Sequence, residues 1–358
     1  MLNNTQTPSH TWLSNEIRAL QTDCRRQAEQ RQAQLTKPPG SLGRLETLAA
    51  RLAGMQGQLL PQLDRAHIVV FAADHGVAEE GVSAFPQVVT TEMIKNFARG
   101  GAAISVLAKQ RNATLEVVDV GSAHPAGELP GVIDARVAAG TANFTRDAAM
   151  DTAQCEAALA AGRDALLRAV EAGCDVFIGG EMGIANTTSA SALASVWLAR
   201  PAVDLVGPGT GVSSDGVRHK AEVIETALQR HRDKLDDAFD TLCALGGFEI
   251  AALCGAYTAA AQAGVPVLID GFISSVALLA ASRFNPQVVD WCFFGHRSAE
   301  PGHARVLEAL QAEPLLQLEM RLGEGSGAAL ALDVLRTACT LHAQMATFEE
   351  AGVSPGEA

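Results

Sequence analysis

The stretch H-I-V-V-F-A-A-D-H-G, residues 67–76, decides the fold. Apolar residues run without interruption from Ile68 to Ala73, the first three of them β-branched, and then stop at Asp-His-Gly. A strand with one wet face alternates polar and apolar residues; a continuous apolar run that ends in a turn is a strand buried on both faces. Four more runs share this grammar: T-L-E-V-V-D-V-G from 114, C-D-V-F-I-G-G from 174, V-P-V-L-I-D-G from 265 and V-V-D-W-C-F-F-G-H from 288. Each closes around a glycine or an acidic residue, and helical segments lie between them. This alternation predicts an α/β fold with a parallel sheet, whose ligands bind at the carboxyl ends of the strands.

The two ends of the chain read differently. Residues 11–60 are helical in pattern, interrupted by K-P-P-G-S-L-G-R at 37–44, where Pro-Pro-Gly ends one helix and Ser41 is placed to cap the next. From about 325 to 350 the pattern is helical again. The expected organisation is an α/β domain over 61–324 and a smaller helical domain built from both ends, 1–60 and 325–358.

Composition supports this class. Of 358 residues 48% are hydrophobic but only 4% aromatic, and 33 are glycine, so packing rests on Ala, Val, Leu and Ile with many tight turns. A formal net charge of −13 argues against a nucleic-acid or anionic-membrane partner while leaving room for a small anionic substrate. The seven cysteines form no C-x-x-C pair and sit mostly in apolar surroundings, as buried thiols of a reducing, cytoplasmic compartment do. The N-terminal M-L-N-N-T-Q-T-P-S-H lacks the basic and apolar regions of a signal peptide. The most apolar window, 264–281, is cut by Asp270 and Gly271, which suits a strand, a turn and a helix, not a membrane span.

Chemistry is therefore expected at the strand ends. G-G-E-M-G-I-A-N-T-T-S-A at 179–190 runs from a strand into a helix whose first turn offers Asn186 and Thr187. G-P-G-T-G-V at 207–212 is a glycine-rich turn before a helix carrying Lys220; Val212 occupies the place of the third glycine in the dinucleotide fingerprint. D-G-F-I at 270 and G-H-R-S-A-E-P-G-H at 295 complete a set of donor-rich turns suited to a phosphorylated sugar. Asp74-His75 lacks an accompanying H-x-x-x-H or H-x-x-E, which favours polar residues that order a loop over metal ligands. No G-x-S-x-G elbow occurs.

M-R-L-G-E-G-S-G-A-A-L-A-L at 320–332 is unusual. A glycine-rich loop entering a helix normally cradles a phosphate, and Glu324 in its middle would repel one. Either Glu324 caps the helix that follows, or the loop serves a partner that gives up a proton. Glu181, in G-E-M-G, is a second carboxylate, which either caps a helix or acts on a developing sugar cation or a water.

Taken in order, K-P-P-G-S-L-G-R, A-A-D-H-G-V, G-V-S-A-F-P-Q-V-V-T, G-E-M-G-I-A-N-T-T, G-P-G-T-G, G-H-R-S-A-E-P-G-H and M-R-L-G-E-G-S-G-A-A-L span nearly the whole chain. The set resembles the nicotinate-nucleotide:dimethylbenzimidazole phosphoribosyltransferases of cobalamin nucleotide-loop assembly. The resemblance implies a Rossmann-like large domain with a small helical domain from both termini, a homodimer, and no metal or other cofactor. It implies transfer of phosphoribose from nicotinate mononucleotide to 5,6-dimethylbenzimidazole, giving α-ribazole 5′-phosphate and nicotinate.

Carried over motif by motif, the resemblance makes Glu324 the general base and Glu181 a second catalytic carboxylate. It lines the base pocket with Ser83, Phe85, Gln87, Met182 and Leu322, Phe85 standing where family members often have tyrosine. It gives the phosphoribosyl group Asn186, Thr187, Gly209, Thr210, Lys220, Gly271 and Ser298. The chemistry is coherent: an azole that attacks C1′ with one nitrogen must shed the proton on the other, which a desolvated carboxylate can take. The departing pyridinium discharges its own positive charge, so electrostatic stabilisation of an oxocarbenium-like centre suffices without a metal. Two other classes remain open, a nucleotide-dependent oxidoreductase and a non-catalytic azole- or corrinoid-binding protein.

Overall fold

A computed structural model describes residues 10–209 and 211–354. Among these residues six parallel strands form one sheet: β1 (Ala66–Ala73), β2 (Thr114–Gly121), β3 (Val132–Asp134), β4 (Val176–Met182), β5 (Val267–Ile269) and β6 (Cys292–Phe294). Their order is β3-β2-β1-β4-β5-β6. All eight residues of β1 are buried, and the strand is paired on both sides, His67 standing opposite Thr114 in β2 and Phe177 in β4. The continuous apolar run at 68–73 is thus the centre of the sheet. The chain moves outward from β1 to β3 and then crosses back to β4, so the strand order reverses beside β1, where open α/β sheets form their ligand crevice.

Two expectations are corrected. The strand expected from 288 begins at Cys292, because Pro286–Trp291 forms a 3-10 turn whose Gln287 N–H donates to the Asn285 side chain and whose Pro286 has no N–H for a ladder. Ser41 does not cap the second helix, Arg44–Gln56, which starts at Gly43 without a side-chain cap. Glu46 reaches back instead, accepting from Leu42 N at 3.0 Å while pairing with the buried Lys37 Nζ at 2.9 Å. The three-residue β3 was too short for the period to register.

Helices cover both faces of the sheet. A Cβ on Gly179 would meet Leu253 and Tyr257 of helix Phe248–Ala263, whereas one on Gly180 would meet Glu324 and Gly325 at the start of helix Ser326–Gln344. Successive strand residues point to opposite faces, so these helices lie on opposite sides. Helix Phe248–Ala263 is buried almost all round, as its mostly apolar, alanine-rich composition allows. Helices Thr22–Gln34 and Arg44–Gln56 meet through Ala28, Ala50 and Ala53. Arg31 Nε donates to His342 O at 2.9 Å and Leu35 bridges Thr347, which ties the two ends of the chain together. Leu48, Leu52, Leu332 and Leu335 belong to the same core as the strands. All seven cysteines are free, and five are buried.

Candidate active site

The carboxyl ends of β4, β5 and β6 open onto a cavity of about 300 Å³. Behind it, the end of β1 supplies Asp74 and His75, both fully buried. Asp74 Oδ1 accepts from Thr90 Oγ1 at 2.7 Å and Oδ2 from Ala123 N at 2.8 Å; Thr90 Oγ1 in turn accepts from Ile184 N at 3.2 Å. His75 lies between Ser189 Oγ, 2.9 Å from Nδ1, and Glu249 Oε1, 2.7 Å from Nε2. The pair orders the turn after β4 from behind, as the sequence suggested. Among the described residues no group of three or more His, Cys, Asp or Glu is placed to hold a metal ion.

Glu181, at the end of β4, lines the cavity and accepts from Asn186 Nδ2 at 2.5 Å. Burial, reinforced by the charges of Glu249 and Asp270, pushes its carboxyl up to about 8 against the pull of the Asn186 bond. Helix Asn186–Leu198 begins after Ala185, in a left-handed conformation with φ 75°, and its first residues Asn186 and Thr187 line the cavity. Lys220 stands behind Thr187: it is 1% exposed and donates from Nζ to Thr187 Oγ1 and Gly207 O, both at 3.2 Å. Burial lowers its pKa, and the nearby Glu300 opposes that shift.

Gly209, Gly271 and Ser298 line the same end of the cavity. Gly209 has its backbone engaged on both sides, donating its N–H to Glu300 Oε1 at 3.1 Å and accepting at its carbonyl from Arg321 Nη1 at 2.8 Å. Ser298 Oγ accepts from Glu300 N at 3.2 Å. Thr210 lies outside the described residues. Of the residues expected at the base, Phe85, Met182 and Leu322 line the cavity, and Phe85 and Leu322 are 52% and 56% exposed. Ser83 and Gln87 are set back: Ser83 Oγ accepts from Phe85 N at 3.3 Å, and Gln87 Nε2 donates to His75 O at 2.9 Å.

Glu324 sits in a turn in which three consecutive residues are left-handed, Gly323, Glu324 and Gly325 having φ of 83°, 65° and 86°. Its carbonyl packs on Gly180 of β4, where any Cβ would collide with it. Leu322 and Gly323 line the cavity, but Glu324 itself does not; it is 6% exposed, with Oε2 accepting from Ile104 N at 3.4 Å. Ile104 is in the first turn of helix Ala103–Gln110. Burial raises the Glu324 pKa; the Ile104 bond opposes the shift and the Asp270 charge adds to it. Glu324 therefore does not cap the helix it precedes.

Sequence reasoning passed over Asp270, His296, Glu300 and Arg321, all of which line the cavity. They lie in or beside turns already noted, but each is engaged with a segment distant in sequence, and spacing carries no trace of that. One end of the cavity thus has buried polar groups and a cation behind it, the other a flat apolar rim, with carboxylates between. This suits a sugar phosphate at one end and an apolar ring at the other.

A family model described as phosphoribosyltransferase matches residues 17–353. The nicotinate-nucleotide–dimethylbenzimidazole phosphoribosyltransferase of Pseudomonas putida (strain W619) is 60% identical over 96% of this chain and 98% of its own length. The protein of the same name from Pseudomonas aeruginosa (strain LESB58) is 58% identical over the same shares. The crystal structure of CobT from Thermus thermophilus superposes with a TM-score of 0.90 at 45% identity, covering 93% of this chain and 100% of that one. The chain belongs to the nicotinate-nucleotide–dimethylbenzimidazole phosphoribosyltransferase family.

Proposed function

We propose that the protein transfers phosphoribose from nicotinate mononucleotide to 5,6-dimethylbenzimidazole, releasing nicotinate and forming α-ribazole 5′-phosphate for cobalamin nucleotide-loop assembly. The observation that carries this reading is 60% identity over 96% of the chain to an enzyme of that name, joined to a cavity whose two ends suit the two substrates. The phosphate faces the loops that Lys220, Arg321 and Ser298 hold, with Asn186, Thr187, Gly209 and Gly271 around the ribose and its phosphate. The azole ring lies against Phe85, Met182 and Leu322, with Ser83 and Gln87 supporting the loop that carries Phe85.

The azole nitrogen attacks C1′ from the face opposite the departing nicotinate, which inverts the β linkage to α. Glu324 takes the proton that the azole sheds. Its burial raises its pKa towards the working range of a general base, and its neighbours in the turn form the wall the ring meets. Glu181, mostly protonated at neutral pH because its carboxyl is pushed up to about 8, faces the sugar as a neutral hydrogen-bonding group. The reaction proceeds without a metal, in the cytoplasm and in a homodimer, a reading supported by the seven free cysteines and the family resemblance. Among the described residues no helix is long and apolar enough to cross a membrane.

The test is product analysis by mass spectrometry with nicotinate mononucleotide and a panel of azoles, purines and phenols, with and without chelator. Nicotinate should appear only together with a riboside phosphate, and chelation should leave the yield unchanged. Absence of any riboside product would overturn the reading; activity restored after chelation only by Mg²⁺ would overturn its metal-free part.

A further inference from the structure

The turn that carries Glu324 is conformationally costly. An L-residue with a Cβ disfavours the left-handed region, and Glu324 holds it between two glycines that hold it too. The helix that follows, Ser326–Gln344, has no side-chain cap of its own. Ser326 closes the turn locally, its N and Oγ donating to Gly323 O, but the amides of Gly325 in the turn and Ala328 in the helix start find their acceptor outside the segment, and one side chain takes both. Asp270, at the end of β5 and 1% exposed, accepts from Gly325 N through Oδ2 at 3.2 Å and from Ala328 N through Oδ1 at 2.9 Å. Its position at the positive end of the helix strengthens both bonds. On its other side His296 Nε2, at the end of β6, lies 3.7 Å from Oδ1. The imidazole fits only because residue 327 is glycine, where a Cβ would overlap the ring.

We propose that Asp270 is the positioning residue that holds Glu324 and the Leu322–Gly323 wall in register with the sheet, with His296 as its support. One carboxylate thereby joins β5, β6 and the catalytic turn, while the Gly180 contact joins that turn to β4. Both oxygens accept N–H groups, so no neutral side chain of the same shape can replace it: an asparagine would turn its NH₂ towards one of the two amides. The inference rests on the phosphoribosyl-transfer reading, because it assigns the turn a task in that reaction.

The charged groups around the turn supply a readout that structural support alone would not move. Glu324 faces Asp270 and the Ile104 N–H; Glu181 faces Glu249, Asp270, Glu324 and Asn186. Asp270 itself faces His296 and the amides of Gly325, Gly327 and Ala328. Removing the negative charge at 270 lets both glutamates ionise at lower pH. Asp270→Asn should therefore lower kcat by about 10²-fold, the scale of a slight misplacement of reacting groups, leave KM for the nucleotide nearly unchanged, and move the acid limb of the kcat/KM–pH profile to lower pH. Asp270→Glu, which keeps the charge but displaces the carboxylate, should lose kcat with the acid limb in place.

Wild-type kcat in Asp270→Asn, or a loss with an unmoved acid limb, overturns the proposal. If Asp270→Asn does not fold, hydrogen exchange at the Gly325 and Ala328 amides decides: it should be faster in Asp270→Glu than in the wild type, and equal rates overturn the proposal. A wild-type protein that forms no riboside phosphate would sink the transferase reading instead, a result separate from either outcome at 270.

Discussion

At one end of the cavity Lys220, Glu300, Arg321 and Ser298 are bonded to the loops they support, with Lys220 only 1% exposed. At the other end Phe85 and Leu322 stand 52% and 56% exposed, with nothing but a rim of apolar surface to offer. On the proposed assignment this is the nucleotide end, and it is preorganised: its dipoles are oriented before substrate arrives, so binding costs little rearrangement there. The end proposed for the base would gain its affinity from covered area, which distinguishes one flat apolar ring from another only weakly. A family that takes phosphoribose from one donor and passes it to an azole needs this asymmetry, because the donor has a charged group to be recognised by and the acceptor has none.

The largest expected effect lies between the two ends. Glu324→Gln keeps shape and a hydrogen-bonding group but removes the proton acceptor, so turnover should fall by about 10²- to 10⁴-fold while nucleotide binding holds. The carboxylate also meets the first turn of helix Ala103–Gln110 through Ile104 N, and if that is its whole task the variant would lose about 1 kcal/mol of stability and keep its activity. Turnover and melting temperature of the same sample separate the two.

At the preorganised end, Lys220→Ala should raise KM for nicotinate mononucleotide by about ten- to a hundredfold, the usual worth of hydrogen bonds to a charged group, and leave KM for the azole unchanged. Equal losses for both substrates would make Lys220 a support of the fold and erase the contrast between the ends.

Glu181 provides a pH-dependent check. Its pKa in the folded protein, about 8, stands above the ordinary value of 4.5, so the stability gained by holding it neutral is complete below that ordinary value and is lost as pH rises through the folded one. Glu181→Gln removes this loss. The variant's melting temperature should match the wild type at acid pH, exceed it increasingly as pH rises from 4.5 to about 8, and level off above that; a difference constant with pH would contradict the burial argument. The smallest effect belongs to the open rim: Phe85→Ala uncovers a ring already half in water, and KM for the azole should rise by about tenfold or less, with nucleotide binding untouched.

Much of this was legible in the sequence, for local reasons. The buried run at 68–73 and the turn residues closing β1, β2, β4 and β5 placed the sheet and pointed to its carboxyl edge. Asn186 and Thr187 stand in a motif that ends a strand and opens a helix, whereas Met182 and Leu322 came only with the family resemblance; all four line the cavity. Asp270 and Glu300 were not, since each acts on a partner far away in sequence, Gly325 and Gly209, and long-range hydrogen bonding leaves no periodicity. The three residues of β3 are too few for a period of two to show. Ser41 looked like a cap by residue type, but the Gly43 N–H it would accept from donates to Gly40 O at 2.9 Å and the helix starts only at Arg44.

The proposed reaction is a single displacement across a cavity with a phosphoribosyl end and an azole end. Its most direct test is the anomeric configuration of the riboside phosphate formed by the wild-type protein from β-nicotinate mononucleotide and 5,6-dimethylbenzimidazole, read by NMR alongside the nicotinate released. The account predicts the α anomer and one nicotinate per riboside; a β product, or nicotinate released without any riboside, would contradict it.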